Sequence, residues 1–101
     1  MFTNQLSLSG VITRSRRFES PAGIAHVVLQ LEHKSQRFEA QMLRNVYCQI
    51  QVVLSGDGFN HLTEQLKMGV AIQVDGFIAQ QQSRNGQSRL VLHAENVELK
   101  T

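Results

Sequence analysis

The chain has no tryptophan, one proline (Pro21), one cysteine (Cys48), one tyrosine (Tyr47) and no long apolar run in its 101 residues. Each scarcity excludes something. A lone thiol closes no internal disulfide, so nothing points to an oxidising compartment and the core must hold the fold alone. No segment approaches the roughly 20 apolar residues of a membrane-spanning helix. Residues 1–10 lack the basic start and apolar run of a signal peptide, so a soluble cytoplasmic protein without a membrane partner is expected. Charged residues make up only 18% of the chain, with a net charge of +2. A length of 101 residues is one small domain, 1–101, too short for a multi-domain enzyme with its own cofactor fold. A binding module is the starting expectation.

What the chain does have is alternation. Val46, Cys48, Ile50, Val52 and Leu54 fall on one parity and Tyr47, Gln49 and Gln51 on the other, the pattern of a half-buried strand. The same period runs through Val70, Ile72, Val74, Gly76 and Ile78. It recurs in Leu6, Leu8, Gly10 and Ile12, in Ala25, Val27, Leu29 and Leu31, and in Leu90, Leu92 and Ala94. In the last strand the parity jumps to Val97 and Leu99, which predicts a bulge near Glu95 and Asn96. Ser20-Pro21-Ala22-Gly23 and Ser83-Arg84-Asn85-Gly86 read as hairpin connections. Ser35 to Gln41, polar and mixed in charge, reads as a loop. Between the third and fourth strands, Phe59, Leu62 and Leu66 lie at helical spacing after a Ser55–Gly58 turn, with Gly69 as the cap of a helix of about two turns.

The order β-β-β-α-β-β is that of an OB-fold, an all-β, five-stranded Greek-key barrel with one short helix between strands three and four. A plain five-stranded α+β sheet is the alternative. The barrel is favoured because the first strand, Asn4 towards Phe18, is long enough to bend at Gly10 and pair on both sides.

Catalytic patterns are missing. There is no nucleophile elbow, phosphate loop or metal-binding His-Glu-x-x-His helix, and the four histidines stand without partners at ligand spacing. A non-enzyme with no cofactor and no metal is the expectation. Cys48, on the apolar parity of its strand, reads as a buried structural thiol.

Position tells more than net charge. Arg14, Arg16 and Arg17 form an acid-free cluster, Gln80 to Ala94 carries Arg84 and Arg89 without an acid, and Lys34, Arg37 and Arg44 flank the segment between strands two and three. Basic residues on strand ends and hairpins of an OB-like barrel suggest a nucleic-acid groove. Tyr47 stands on the polar parity, where an exposed ring is a stacking platform for an unpaired base or else a cross-strand partner. Phe77, also on a polar parity, fits either stacking or a protein interface, with the interface favoured.

Specific segments then point further. Leu8-Ser9-Gly10, Ser20-Pro21, Gly23-Ile24, Leu31-Glu32-His33, Cys48-Gln49, Gly76-Phe77-Ile78, Asn85-Gly86 and Val91 to Glu95 occur at spacings that resemble the bacterial primosomal replication protein N (PriB) family over nearly the whole chain. At the level of fold the chain is also similar to single-stranded DNA-binding proteins. The resemblance implies a homodimer of OB-folds that binds single-stranded DNA, stabilises the PriA helicase on it and helps recruit DnaT during replication restart. It places DNA contacts on Lys34, Arg44, Tyr47, Arg84 and Arg89, and the charge pattern adds Arg16 and Arg17. The chain departs from the family at Tyr47, often Trp, at Met42, often aromatic, at Gln82 and Arg84, often Lys, and at Phe18, basic in well-known members. Stacking and phosphate contact should be weaker there. A protein-interaction scaffold with incidental DNA contact is the rival reading.

Overall fold

A computed structural model describes residues 1–100. Five strands, β1 (Leu6–Glu19), β2 (Ala25–Glu39), β3 (Met42–Ser55), β4 (Ala71–Gln82) and β5 (Ser88–Leu99), close into a barrel in the order β1-β2-β3-β5-β4. All neighbours are antiparallel except β3 and β5, which run parallel through Gln51–Val53 and Val91–His93. This is the OB-fold expected from the strand order. Among the described residues no helix is long and apolar enough to cross a membrane.

Closure rests on β1 serving two neighbours. Leu6 to Val11 pair with β4, and Val11 to Glu19 pair with β2. The strand turns between them at Gly10, where a Cβ would overlap the backbone carbonyl of Glu32. Across β4 and β5, a Cβ on Gly76 would overlap the carbonyl of His93. There the register passes from Asp75↔Asn96 to Gly76↔Ala94, leaving Glu95 as the extra residue of the expected bulge. A second bulge lies on β1. Ile12 pairs with Leu31 and Arg14 with Gln30, so Thr13 has no partner and the parity inverts beyond it.

The inward residues are those of the sequence alternation. Ile12, Leu29, Leu31, Val52, Ile72, Val74 and Leu92 are fully buried, joined by Leu54 and Leu66. Phe59 and Leu62 pack against this core, as their spacing suggests.

Three expectations are corrected. The connection between β3 and β4 is not a two-turn helix but two 3₁₀ turns, Asp57–Phe59 and Thr63–Gln65. Its bonds run i to i−3, as in Leu62 N–H to Phe59 O at 2.9 Å and Gln65 N–H to Leu62 O at 2.8 Å. Asn60, His61 and Thr63 favour helix weakly, and so short a segment does not offset helix nucleation. The Ser35–Gln41 segment is not a loop. Strands β2 and β3 pair continuously to Glu39↔Met42 around a two-residue turn, Ala40 (φ 51°) and Gln41 (φ 64°), the positive pair that suits a tight hairpin. Alternation is lost there because the hairpin projects beyond the barrel and neither face covers a core. For the same reason Cys48 is exposed rather than buried.

The overlaps at Gly10 and Gly76 carry a prediction. Gly10→Ala and Gly76→Ala should each lower the unfolding free energy by about 2 kcal/mol or more, whereas a change at an open surface position should stay within about 0.5 kcal/mol. Gly58→Ala, with open space at its Cβ, is the control. Urea titrations of the three variants decide it; equal midpoints would refute the closure role.

Candidate functional site

The Thr13 bulge turns Arg14 and Arg16 outward and Ser15 and Arg17 to the inner side. Arg14, Gln30, Gln51 and Val91 then lie in one register row across β1, β2, β3 and β5. Arg16, Val28, Val53 and His93 form the next. Over these rows runs a groove of about 860 Å³, lined by Arg14, Arg16, Gln30, Gln49, Gln51 and Arg89. Met68 stands on one bank and Gln87 to Leu90, the base of the β4–β5 hairpin, on the other. Arg89 Nη1 donates to Gln51 Oε1 at 3.3 Å, and Gln30 Nε2 donates to Gln49 Oε1 at 3.1 Å. The groove thus has cationic banks and a floor of neutral amides able to donate and accept.

Towards the projecting hairpin the same face continues through Glu32↔Gln49 to Lys34↔Tyr47. Tyr47 is 57% exposed. Its hydroxyl donates to Glu32 Oε2 at 3.3 Å, and Lys34 Nζ lies 5.9 Å from the ring centre and 3.7 Å from Glu32 Oε1. Gln49 Nε2 reaches the same carboxylate at 3.5 Å. Three donors converge on Glu32, which pins the phenol and lays its ring on the surface. An acid next to the basic groove, on the same face, was not foreseen among the site residues.

The structure separates the other expected residues. Arg84 sits in the exposed Ser83–Gln87 turn of the hairpin that banks the groove. Arg44 lies on the reverse face of the β2–β3 hairpin from Tyr47, opposite Arg37, and its Nε pairs with Glu39 at 3.1 Å. Arg17 turns to the barrel end, where Nη2 donates to the carbonyl of Thr63, beside a pocket of about 230 Å³ lined by Val27, Leu54 and Phe59. Arg14, which belongs to the basic cluster but not to the expected contacts, enters the groove. The readable signal was that Arg14 and Arg16 share the apolar parity of Leu8 and Ile12. Two arginines cannot face a dry core, so a bulge had to precede them.

Phe18 stacks on His26 with ring centres 5.0 Å apart, and the Arg16 guanidinium lies 5.5 Å from the Phe18 ring centre. Phe77 stacks on His93 at 5.0 Å with a 13° interplanar angle. Asp75 accepts from Ser7, Asn96 and Gln73, which hold its carboxyl below the ordinary carboxylate value. In the Ser55–Gly58 turn the Gly56 N–H donates to Ala25 O at 2.9 Å. Among the described residues no group of three or more His, Cys, Asp or Glu is placed to hold a metal ion.

Comparisons with known proteins agree with the fold. Residues 4–96 match the model of a family described as another single-strand binding protein family. The replication restart protein PriB of Shewanella piezotolerans is 78% identical over 101 residues, all of both chains. The PriB structure from Ralstonia solanacearum is similar with a TM-score of 0.79 at 25% identity, over 99% of this chain and 100% of that one. A Plasmodium falciparum SSB in complex with ssDNA shares the fold, with a TM-score of 0.81 at 12% identity over 100% and 97% of the two chains.

The split between neighbouring arginines is measurable. Arg17→Ala, which loses a charged donor to a backbone carbonyl, should cost about 1 kcal/mol of stability, while Arg16→Ala should stay within about 0.5 kcal/mol of the parent. Chemical unfolding followed by circular dichroism tests this, and equal losses would contradict the assignment.

Proposed function

This chain belongs to the replication restart protein PriB family, and we propose that it binds single-stranded DNA along the outer groove, without catalysing a reaction. The observation that carries this reading is the gathering of Arg14, Arg16, Lys34 and Arg89 around one face that also displays Tyr47. Arginines and lysine neutralise phosphates, Tyr47 holds a base flat, and the glutamine floor tolerates any sequence. Arg84 adds a cation at the hairpin tip. The geometry supports Arg16, Lys34, Tyr47, Arg84 and Arg89 in this role; it offers no such support for Arg17 and Arg44, which face other surroundings.

In the cell the proposed role is that of a cytoplasmic accessory of the replication-restart primosome, steadying the PriA helicase on DNA and helping recruit DnaT. A homodimer would double the cationic surface, and Phe77, 39% exposed over His93, supplies an outer apolar spot for a protein contact. The same Phe77 spot favours the second reading, a primosome scaffold with incidental DNA contact. Competition separates the two: a scaffold binds the helicase equally well with and without single-stranded DNA.

If about three to five phosphates are neutralised, log affinity for oligo-dT should fall with log salt at a slope of roughly −2 to −3.5. Fluorescence anisotropy at several salt concentrations measures it, and a slope near zero removes the electrostatic mechanism. Tyr47→Ala should weaken binding by about 5- to 100-fold without altering the slope. Arg89→Ala should reduce the slope by about 0.7. Glu32→Gln keeps an acceptor for Tyr47 but removes the negative charge, so binding should tighten at low salt; unchanged affinity would show that the carboxylate lies outside the DNA path.

A further inference from the structure

The tip of the β4–β5 hairpin reads Ser83-Arg84-Asn85-Gly86-Gln87. Of the five asparagines, only Asn85 is followed by glycine; Asn4, Asn45, Asn60 and Asn96 precede Gln5, Val46, His61 and Val97. Asparagine is chemically labile because the next main-chain nitrogen can attack its side-chain carbonyl. Any side chain on that next residue crowds the approach, and glycine has none. Asn85 and Gly86 are both exposed.

The turn folds the Asn85 carboxamide towards the main chain. Gln87 N–H donates to Asn85 Oδ1 at 3.2 Å, and since a backbone N–H only donates, the atom it meets is the carbonyl oxygen. Ser83 Oγ also lies within hydrogen-bond reach of Asn85 Oδ1, its one proton shared with Gln87 O at 3.1 Å. Donors therefore sit on the oxygen that turns negative when a nucleophile adds to Cγ, as in an oxyanion hole. The Gly86 N–H donates to Ser83 O at 3.1 Å, and Ser83 N–H to Gln87 O at 2.8 Å. Both bonds lie past the last ladder pair, Gln82↔Ser88, where local opening takes little free energy and frees the Gly86 nitrogen. The Asn4 carboxamide, in contrast, is clamped between the Ile78 carbonyl at 2.7 Å and the Ile78 N–H at 3.0 Å.

We propose that Asn85 is a self-modification site, at which spontaneous deamidation places an acid in the hairpin that banks the groove. The Gly86 nitrogen gives its proton to hydroxide and bonds to Asn85 Cγ. The Cγ–Nδ2 bond then breaks, and ammonia leaves with a proton from water. Water opens the resulting cyclic imide on either side of its nitrogen. Opening at Cγ yields aspartate; opening at the main-chain carbonyl yields isoaspartate, whose backbone is longer by a methylene. One water is consumed for each ammonia released, and nothing is oxidised. Either product sets a carboxylate next to Arg84 in a stretch, Gln80 to Ala94, that has no acid. The new charge repels phosphate and competes for Arg84, so the modified protein holds single-stranded DNA less tightly. That loss rests on the reading of the groove as a DNA site; the conversion itself does not.

The test incubates the full chain for days at neutral pH and maps its tryptic peptides by mass spectrometry, alongside oligo-dT anisotropy. Asn85 should convert several-fold faster than each of the other four asparagines. Converted protein and fresh Asn85→Asp should both bind about 5-fold more weakly at low salt, the effect of one charge near a phosphate in water. Their salt slope should shrink by about 0.7. Asn85→Gln, whose longer side chain disfavours the ring, should neither convert nor lose affinity over the same incubation. Ser83→Ala removes a donor to the developing oxyanion and should slow conversion; an equal or faster rate would overturn the part given to the turn. An Asn85 amide that lasts as long as that of Asn60 would overturn the proposal, as would conversion with unchanged affinity and slope. Fresh parent protein that binds no oligo-dT would refute the groove reading, and with it the loss of binding, while conversion at Asn85 would stand.

Discussion

Closure of the barrel depends on one strand being shared between two neighbours. β1 pairs with β4 over its first half and with β2 over its second, and the handover occurs where Gly10 lets the β2 backbone approach too closely for any side chain. Gly76 permits the matching approach of β4 to β5. A strand so shared must bend and change its twist, and a bulge is the cheapest way to do both. The bulge falls at Thr13. Its effect reaches the surface, because inverting the parity sends Arg14 and Arg16 outward while keeping Ile12 in the core. The feature that closes the fold is therefore the feature that charges the groove.

Charge on this surface is local rather than global. Ten basic residues against eight acidic ones leave +2 in total, yet the groove is lined by three arginines and the acids Glu64, Glu95, Glu98 and Asp57 do not line it. Glu32 lies next to it on the same face, opposite Gln49. Surface ion pairs of the kind it makes with Lys34 contribute little to stability. Its effect lies in orientation, since a phenol held by a carboxylate loses less freedom when a flat ligand settles on it. That ordering comes with a negative charge beside the ligand path, and the two effects oppose one another.

Much of the architecture was legible in the sequence because a dry core demands period two. Ile12, Leu29, Leu31, Val52, Ile72, Val74 and Leu92 were assigned inward by alternation alone, and the parity jump after Ala94 located the bulge at Glu95. Legibility stopped where burial stopped. Beyond Ile50 the hairpin leaves the barrel core, so Ser35 to Gln41 looked like a loop and Cys48, exposed, looked buried. Phe59, Leu62 and Leu66 showed helical spacing because they reach one core. Three contacts spread over two turns satisfy that spacing without a continuous helix. The site was legible in part: residue types and clusters pointed to it, but which of Arg16 and Arg17 faced the groove depended on the Thr13 bulge, whose one trace in the sequence is that Arg14 and Arg16 fall on the apolar parity of Ile12.

The projecting hairpin shows what strand pairing can do without a core. A free two-stranded ribbon is marginal in water, but this one is continuous with β2 and β3, whose inner halves are anchored by Leu29, Leu31, Val52 and Leu54. Each further rung adds backbone hydrogen bonds to an existing ladder rather than nucleating a new one. The two-residue turn lets the ladder run to Glu39↔Met42, at the very tip. A barrel of this size has a limited circumference, so contact length cannot grow by widening it. Extending one hairpin lengthens the presented face while leaving the barrel interior, and therefore the closure at Gly10 and Gly76, unchanged.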